Sequence, residues 1–233
     1  MNAFLMAAGN GMRLRPLTED IQKCMLPVGG KPMLEWWLDA VFRANCFDKV
    51  FVNVHHCADK VEGWIWRYCE VYDRRVQIID ERSKLLGTAG TIYWHGDSDN
   101  DFMVAYTDTF SEEFFLKMGS IAKRFSKLPT DCIAGVMAFF SPRDGSAGLM
   151  KIDEEGRVTE FMEKEGRSNE AWAGILFARK NFYDEIGPQD RDLARDVLPR
   201  MKNRLLVFGH VDAYDIGRGV DIYEQFNKKI LST

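Results

Sequence analysis

Long apolar runs are missing from this sequence. No uncharged stretch approaches the ~18 residues that a membrane-spanning helix requires. Proline is scarce, with seven in 233 residues. No Gly/Ser/Pro-rich linker, internal repeat or low-complexity segment divides the chain, so a string of tethered modules is not expected. The five cysteines (Cys24, Cys46, Cys57, Cys69, Cys132) are odd in number, and no two stand at C-x-x-C spacing. A disulfide framework and a thiolate zinc site are both disfavoured, and a reducing cytoplasm fits best. Positive charge is not in excess either: 31 basic side chains face 35 acidic ones, a formal net charge of −4. Such a chain has no global attraction for nucleic acid or an anionic membrane, and any polyanion it binds must be gathered by a local basic cluster. The opening Met-Asn-Ala-Phe-Leu-Met-Ala-Ala-Gly lacks the basic start of a signal peptide. Neither secretion nor membrane insertion is expected, and the cytoplasm is the expected location.

The composition that remains is 46% hydrophobic and 28% charged, enough for a sizeable core without staples or metal. Asn2–Ala8 reads as a buried parallel strand, Lys49–Val54 as a second and Val76–Ile79 as a third. Helical spacing follows Pro32 (Met33-Leu34, Trp37-Leu38, Val41, Ala44) and covers Ala58–Tyr72. Thr88–His95 and Phe114–Phe125 are also helical, with a strand over Phe102–Tyr106 between them and a longer one over Asp131–Phe140 after them. The alternation predicts β-α-β crossovers and a mostly parallel sheet. Beyond residue 140, Leu149–Asp153 and Arg157–Glu163 form an expected hairpin about Glu154-Glu155-Gly156. Ala171–Ala178 and Leu205–Phe208 read as strands, Asp192–Met201 and Val220–Ile230 as helices. The expected fold is one α/β domain over residues 1–233, a Rossmann-like three-layer sandwich with a mixed, mostly parallel sheet and antiparallel additions in its C-terminal half. His55-His56-Cys57 has the chemistry of a metal nucleus, but it directly follows a strand and has no second ligand pair, so a structural role at the strand end is expected.

The most informative segment is Leu5-Met6-Ala7-Ala8-Gly9-Asn10-Gly11-Met12-Arg13-Leu14-Arg15-Pro16-Leu17-Thr18. A strand ending in Gly-x-Gly turns successive N–H groups into a concave nest suited to phosphate oxygens, although a plain tight turn has the same pattern. Between Gly9 and Lys31 stand four basic residues (Arg13, Arg15, Lys23, Lys31) against Glu19 and Asp20, a local +2 in a chain that totals −4. The dinucleotide fingerprint fails, with Leu14 at its third glycine and His55-His56 where an acid belongs. A Walker A loop fails as well, because Pro32 follows Gly30-Lys31.

The run Ala7-Ala8-Gly9-Asn10-Gly11-Met12-Arg13-Leu14, then Pro16-Leu17-Thr18, Lys23, Leu26-Pro27-Val28 and Gly30-Lys31-Pro32-Met33-Leu34, resembles the signature of the sugar-1-phosphate nucleotidylyltransferases, which include short mannose- and heptose-1-phosphate guanylyltransferases. The likeness continues, in the family's order, at Leu86-Gly87-Thr88-Ala89-Gly90, Asp108, Phe161-Met162-Glu163-Lys164, Ala173-Gly174-Ile175 and Asp215-Ile216-Gly217. Some members carry a C-terminal left-handed β-helix, which is not expected within these 233 residues.

The resemblance implies attack by a sugar-1-phosphate oxygen on the α-phosphorus of a nucleoside triphosphate, with pyrophosphate leaving in line. Two anions must meet, so charge neutralisation and alignment are the protein's task. It implies that Ala8, Gly9, Gly11 and Arg13 hold the nucleotide and its outer phosphates, with Leu86, Gly87 and Thr88 against the base. Lys23 would neutralise the α-phosphate, and Arg13 and Lys23 are the catalytic pair. Asp108 and Asp215 would hold one Mg²⁺, Asp108 also touching the nucleotide. Gly148, Glu163, Lys164, Trp172 and Gly174 would face the acceptor, which makes residues 1–110 mainly a nucleotide-binding half and 111–233 mainly a sugar-phosphate half. The Thr88-Ala89-Gly90 and Asp108-Thr109-Phe110 contexts lean toward GTP. Nucleic acid and membrane are not expected partners; a homo-oligomer is compatible with the sequence.

Several positions depart from the family pattern: Gln22 for proline before the lysine, Tyr106-Thr107 for Asn-Gly, Glu165 for proline, Trp172 for asparagine, and Arg218-Gly219 for Thr-Pro. None removes a charge the chemistry needs, but Trp172 places the identity of the acceptor in question. The alternatives are a phosphocholine cytidylyltransferase or an amino-sugar uridylyltransferase of the same fold, or a non-catalytic nucleotide-sensing subunit.

Overall fold

The computed structural model describes residues 1–72, 75–140, 148–163 and 168–232. In chain order the regular elements are β1 (Asn2–Met6), β2 (Pro27–Val28), β3 (Lys31–Pro32), α1 (Met33–Ala44), β4 (Lys49–Val54), α2 (Ala58–Tyr72), β5 (Val76–Asp80), α3 (Gly87–His95), β6 (Phe102–Tyr106), β7 (Thr109–Phe110), α4 (Glu112–Phe125), β8 (Ala134–Phe140), β9 (Gly148–Ile152), β10 (Val158–Glu163), β11 (Glu170–Ala178), β12 (Leu205–His210), β13 (Tyr214–Asp215) and α5 (Val220–Leu231). The expected α/β class with a mixed sheet is present. Among the described residues no helix is long and apolar enough to cross a membrane.

The chain divides into two compact units, and the division is not one cut along the sequence. The first unit comprises Asn2–Leu85, Ala105–Gly119 and Ala213–Thr233; the second comprises Met1, Leu86–Val104 and Ser120–Asp212. Strand β6 and helix α4 each run from one unit into the other.

In the first unit, β1 pairs in parallel with β4 and β4 with β5, in registers such as Phe4↔Phe51 and Val52↔Ile78. All five residues of β1 are buried, as an apolar run without alternation requires when a strand is covered on both faces. Phe4 stacks on Phe51 at 4.7 Å between ring centroids. Helix α1 buries Met33, Leu34, Trp37, Leu38, Ala40 and Val41 and stops at Asn45, whose left-handed backbone (φ 48°) turns its amide onto the Phe42 carbonyl. The Trp37 indole donates to the Thr109 carbonyl at 3.1 Å. Two ladders of only two residues each complete this unit: β2 against β3, and β13 against β7. Helix α5 is fastened to the first of them, with Tyr223 Oη donating to the Pro27 carbonyl (2.7 Å) and Asn227 Oδ1 accepting from the Gly29 amide (2.9 Å).

The second unit is built on antiparallel pairing. The expected hairpin is β9–β10, β11 pairs antiparallel with both β8 and β9, and β12 lies parallel to β8. Strand β11 carries a bulge between Trp172 and Leu176. Asp192–Met201, expected as one helix, is a π-helical turn over Leu193–Val197 followed by a 3-10 turn over Leu198–Met201. Pro199 has no N–H to continue an α-helical ladder, and the backbone changes pitch there.

Candidate active site

Three charged side chains from separate stretches of the first unit meet at one point. The β7–β13 ladder sets Asp215 opposite Thr109. The Ile216 amide donates to the Asp108 carbonyl at 2.9 Å, so backbone pairing alone brings the two acids together. Lys23 arrives on a short 3-10 turn, Lys23–Met25, and its ammonium forms an ion pair with Asp108 Oδ2. Gly217 marks the meeting point. A Cβ there would lie 3.0 Å from Asp108 Oδ2, 3.0 Å from Asp215 Oδ1 and 3.2 Å from Lys23 Nζ. Any larger residue would put carbon into the space these groups share.

The glycine loop begins where β1 ends. The amides of Ala7 and Ala8 donate to Asn53 Oδ1 at 2.7 and 3.2 Å. The next three amides, those of Gly9, Asn10 and Gly11, have no partner among the described residues. Consecutive unpaired N–H groups beside cations are an anion-binding feature. The Ala8 amide is already committed to Asn53, so the expected contact from Ala8 to a nucleotide is left to its carbonyl. Gly11 is left-handed (φ 61°), and a Cβ on it would stand 3.1 Å from the Thr18 side chain. Thr18 Oγ1 donates to the Gly11 carbonyl (2.7 Å), and His56 Nε2 donates to the Thr18 carbonyl (2.9 Å). His55 Nδ1 likewise donates to the Glu81 carbonyl at 2.9 Å. These bonds account for the His-His-Cys run as strand-end structure. Arg13 is exposed on the loop and makes no hydrogen bond or ion pair among the described residues, yet its charge acts on Lys23, Asp108 and Asp215.

The charges are unevenly balanced. Burial works to raise the Asp108 carboxyl, but the adjacent Lys23 ammonium outweighs it and holds Asp108 below the usual carboxylate range. Burial likewise works against the charge of Lys23, and Asp108 overcomes it, leaving the ammonium above its ordinary value. Asp215 is pushed up to about 6, first by burial and then by the neighbouring Asp108 charge. One lysine does not neutralise two acids. Paired carboxylate oxygens with surplus negative charge are a hard-ligand set, and Mg²⁺ fits it.

The remaining expected residues lie in the second unit. Leu86, Gly87 and Thr88 open α3 and are held by the chain at 190–193. There the Leu193 amide donates to Thr88 Oγ1 (2.9 Å) and the Ala89 amide to the Arg191 carbonyl (3.0 Å). Gly148 begins β9, paired in register with Glu163 at the end of β10. Trp172 is 5% exposed; its indole N–H donates to the Ile175 carbonyl at 3.0 Å. Its only ring donor therefore serves the β11 bulge, where Gly174 also sits. Lys164 lies outside the described residues. The Tyr106-Thr107 departure is accommodated without glycine, since the Thr107 amide (3.3 Å) and hydroxyl (2.8 Å) both donate to the Met6 carbonyl at the end of β1. Sequence reasoning gave no role to Asn53, Glu81 or Gly217. A buried polar residue inside the apolar run Lys49–Val54 was the one available signal.

Residues 2–230 match the family described as nucleotidyl transferase. The chain belongs to this family. It is 28% identical over 252 residues to a UTP–glucose-1-phosphate uridylyltransferase of Synechocystis, covering 96% of this chain and 62% of that protein. It is 26% identical over 209 residues to a mannose-1-phosphate guanyltransferase of Schizosaccharomyces pombe, covering 87% of this chain and 56% of that one. The chain thus spans little more than half the length of the curated relatives it matches. In fold it resembles HddC from Yersinia pseudotuberculosis, with a TM-score of 0.76 at 22% identity and 98% coverage of both chains.

Proposed function

We propose that this nucleotidyl transferase moves a nucleotidyl group from a nucleoside triphosphate to a sugar 1-phosphate, giving a nucleotide sugar and pyrophosphate. The observation that carries the reading is the convergence of Lys23, Asp108 and Asp215 around Gly217, in the same unit as three loop amides that have no partner among the described residues. In the reaction an acceptor phosphate oxygen bonds to the α-phosphorus, and the bond from that phosphorus to the bridging oxygen of the β-phosphate breaks. Both partners are anions, so the barrier is lowered by fixed positive charge and by alignment. The Gly9, Asn10 and Gly11 amides and Arg13 bind the outer phosphates and the charge that builds on the leaving group. Lys23 serves the α-phosphate. Asp108 and Asp215 would hold Mg²⁺, which when bound would supply positive charge to the phosphates. Glu163 is assigned to the sugar hydroxyls and Lys164 to the sugar phosphate. GTP is the proposed donor, from the Thr88-Ala89-Gly90 and Asp108-Thr109-Phe110 contexts; named relatives include both uridylyl and guanylyl transferases.

A pyrophosphate-release matrix tests this, crossing the common nucleoside triphosphates with a panel of sugar 1-phosphates and phosphocholine in the presence of magnesium. The expected result is turnover with a sugar 1-phosphate, with GTP foremost. Turnover with phosphocholine alone, or with nothing, contradicts the proposal.

A further inference from the structure

The turn that carries Lys23 is tied to the phosphate loop through a buried run of hydrogen bonds. Glu81, just beyond β5, accepts from Asn53 Nδ2 at 3.0 Å. Asn53 Oδ1 accepts the Ala7 and Ala8 amides. On the other side of the same peptide, the Ala7 carbonyl accepts from Gln22 Nε2 at 2.5 Å, and Gln22 Oε1 accepts the Lys23 amide at 2.5 Å. Gln22, Asn53 and Glu81 are 1%, 4% and 1% exposed. Water does not replace a lost partner at that depth, so the geometry is held by the side chains themselves.

Gln22 occupies the pivotal place in this run. One end of its amide grips Ala7, the first residue past β1 on the way into the glycine loop, and the other grips the backbone of the lysine that must act on the loop's ligand. It thereby fixes the spacing between the two. Lys23 Nζ stands 3.8 Å from where a Cβ on Gly9 would be, close enough for loop and ammonium to hold one phosphate chain together. We propose that Gln22 is a positioning residue for Lys23, with Asn53 and Glu81 as its footing, and that it acts on turnover rather than on nucleotide affinity. The inference rests on the function proposed above for the site.

The test compares Gln22→Met, which keeps the length of the side chain and loses both polar ends, with the wild-type chain in two backgrounds. The first readout is amide hydrogen exchange in the metal-free protein. Gln22→Met is expected to lower protection of the Lys23 amide at least ~10-fold, while Val52 in β4 keeps its protection. The second is kinetic: kcat falls about tenfold with less than about a threefold change in KM for the triphosphate, and that loss vanishes when Lys23→Ala is already present. Unchanged exchange at Lys23, or an equal loss of kcat in both backgrounds, overturns the assignment. A general structural role would give the second of these. If Gln22→Met does not fold, Gln22→Glu, of nearly the same shape, carries the kinetic comparison: it loses the donor to Ala7 and keeps the acceptor for the Lys23 amide, so kcat is expected to fall in the wild-type background and not beside Lys23→Ala, and an equal loss in both overturns the assignment. A wild-type chain that releases no pyrophosphate removes the catalytic reading instead, and exchange at Lys23 then decides the role of Gln22 alone.

Discussion

Asp215 is held against its own preference. A carboxyl pushed up to about 6 by burial and by Asp108 favours the proton more strongly when folded than in the unfolded chain, where about 3.9 is usual. Folding therefore loses stability as pH rises from the unfolded value through about 6, and a permanently neutral replacement escapes that loss. Asp215→Asn is expected to stabilise the metal-free protein at pH 8 by about 1–2 kcal/mol, with the gain fading below pH 4. The same substitution, like Asp108→Asn, is expected to lower turnover at least ~10²-fold, a barrier increase of roughly 2.7 kcal/mol. Thermal melts and steady-state rates on one protein preparation check both. An acid that serves only the fold would lose stability when replaced and leave the rate alone. Lys23→Ala separates binding from chemistry in the same way: kcat falls more than KM rises, because the α-phosphate gains charge in the transition state. A change in KM alone contradicts the role.

At the scale of elements, the second unit offers a cap that can be tested without substrate. The Asp196 carboxylate accepts the backbone amides of Arg191 (2.9 Å) and Asp192 (2.8 Å) ahead of the π-helical turn. Its hydrogen bond with Arg195 and these amides hold it well below the usual carboxylate range. A depressed carboxyl contributes stability that is complete above the unfolded value and disappears as pH falls through the folded one. Asp196→Ala is expected to cost about 1 kcal/mol at pH 7, and denaturant curves should show the gap closing only in acid. A gap independent of pH assigns the loss to packing. Elsewhere in this unit the bulge in β11 depends on Trp172, whose ring meets Phe161 edge-on at 5.9 Å. Trp172→Ala is expected to cost about 3–5 kcal/mol, to be read by the same curves. What was legible in the sequence follows from the same local physics. Lys49–Val54, Ala58–Tyr72 and Phe102–Tyr106 declare themselves by apolar runs or helical periodicity between polar flanks, and the structure has those bounds. The β7–β13 ladder does not declare itself: two residues hold no period, and their partner lies on the far side of the chain. That ladder, which sets Asp215 opposite Thr109, and the adjoining bond from the Ile216 amide to the Asp108 carbonyl bring the two acids together, so only resemblance to a family could unite them from sequence. The roles of Asn53 and Gln22 were not legible because each grips backbone amides or carbonyls of the loop and the Lys23 turn, which no residue pattern reveals, and the Glu81 partner of Asn53 lies on another strand end.

For the whole molecule, the account turns on charge drawn together by the fold in a chain whose net charge is −4. Global electrostatics would repel a triphosphate; under the proposed function the loop amides, Arg13 and Lys23 would reverse that sign locally, and the two acids would set where a dication stands. The nucleotidyl transferase fold supplies the scaffold, and specificity for base and acceptor is a separate property of the residues grafted onto it. The most direct measurement uses manganese, read by electron paramagnetic resonance in place of magnesium and titrated into the chain with a non-hydrolysable nucleoside triphosphate. One tightly held ion per chain is expected, its affinity falling at least ~10²-fold when Asp108→Asn and Asp215→Asn are combined. An ion bound undiminished by the doubly substituted chain would contradict the account.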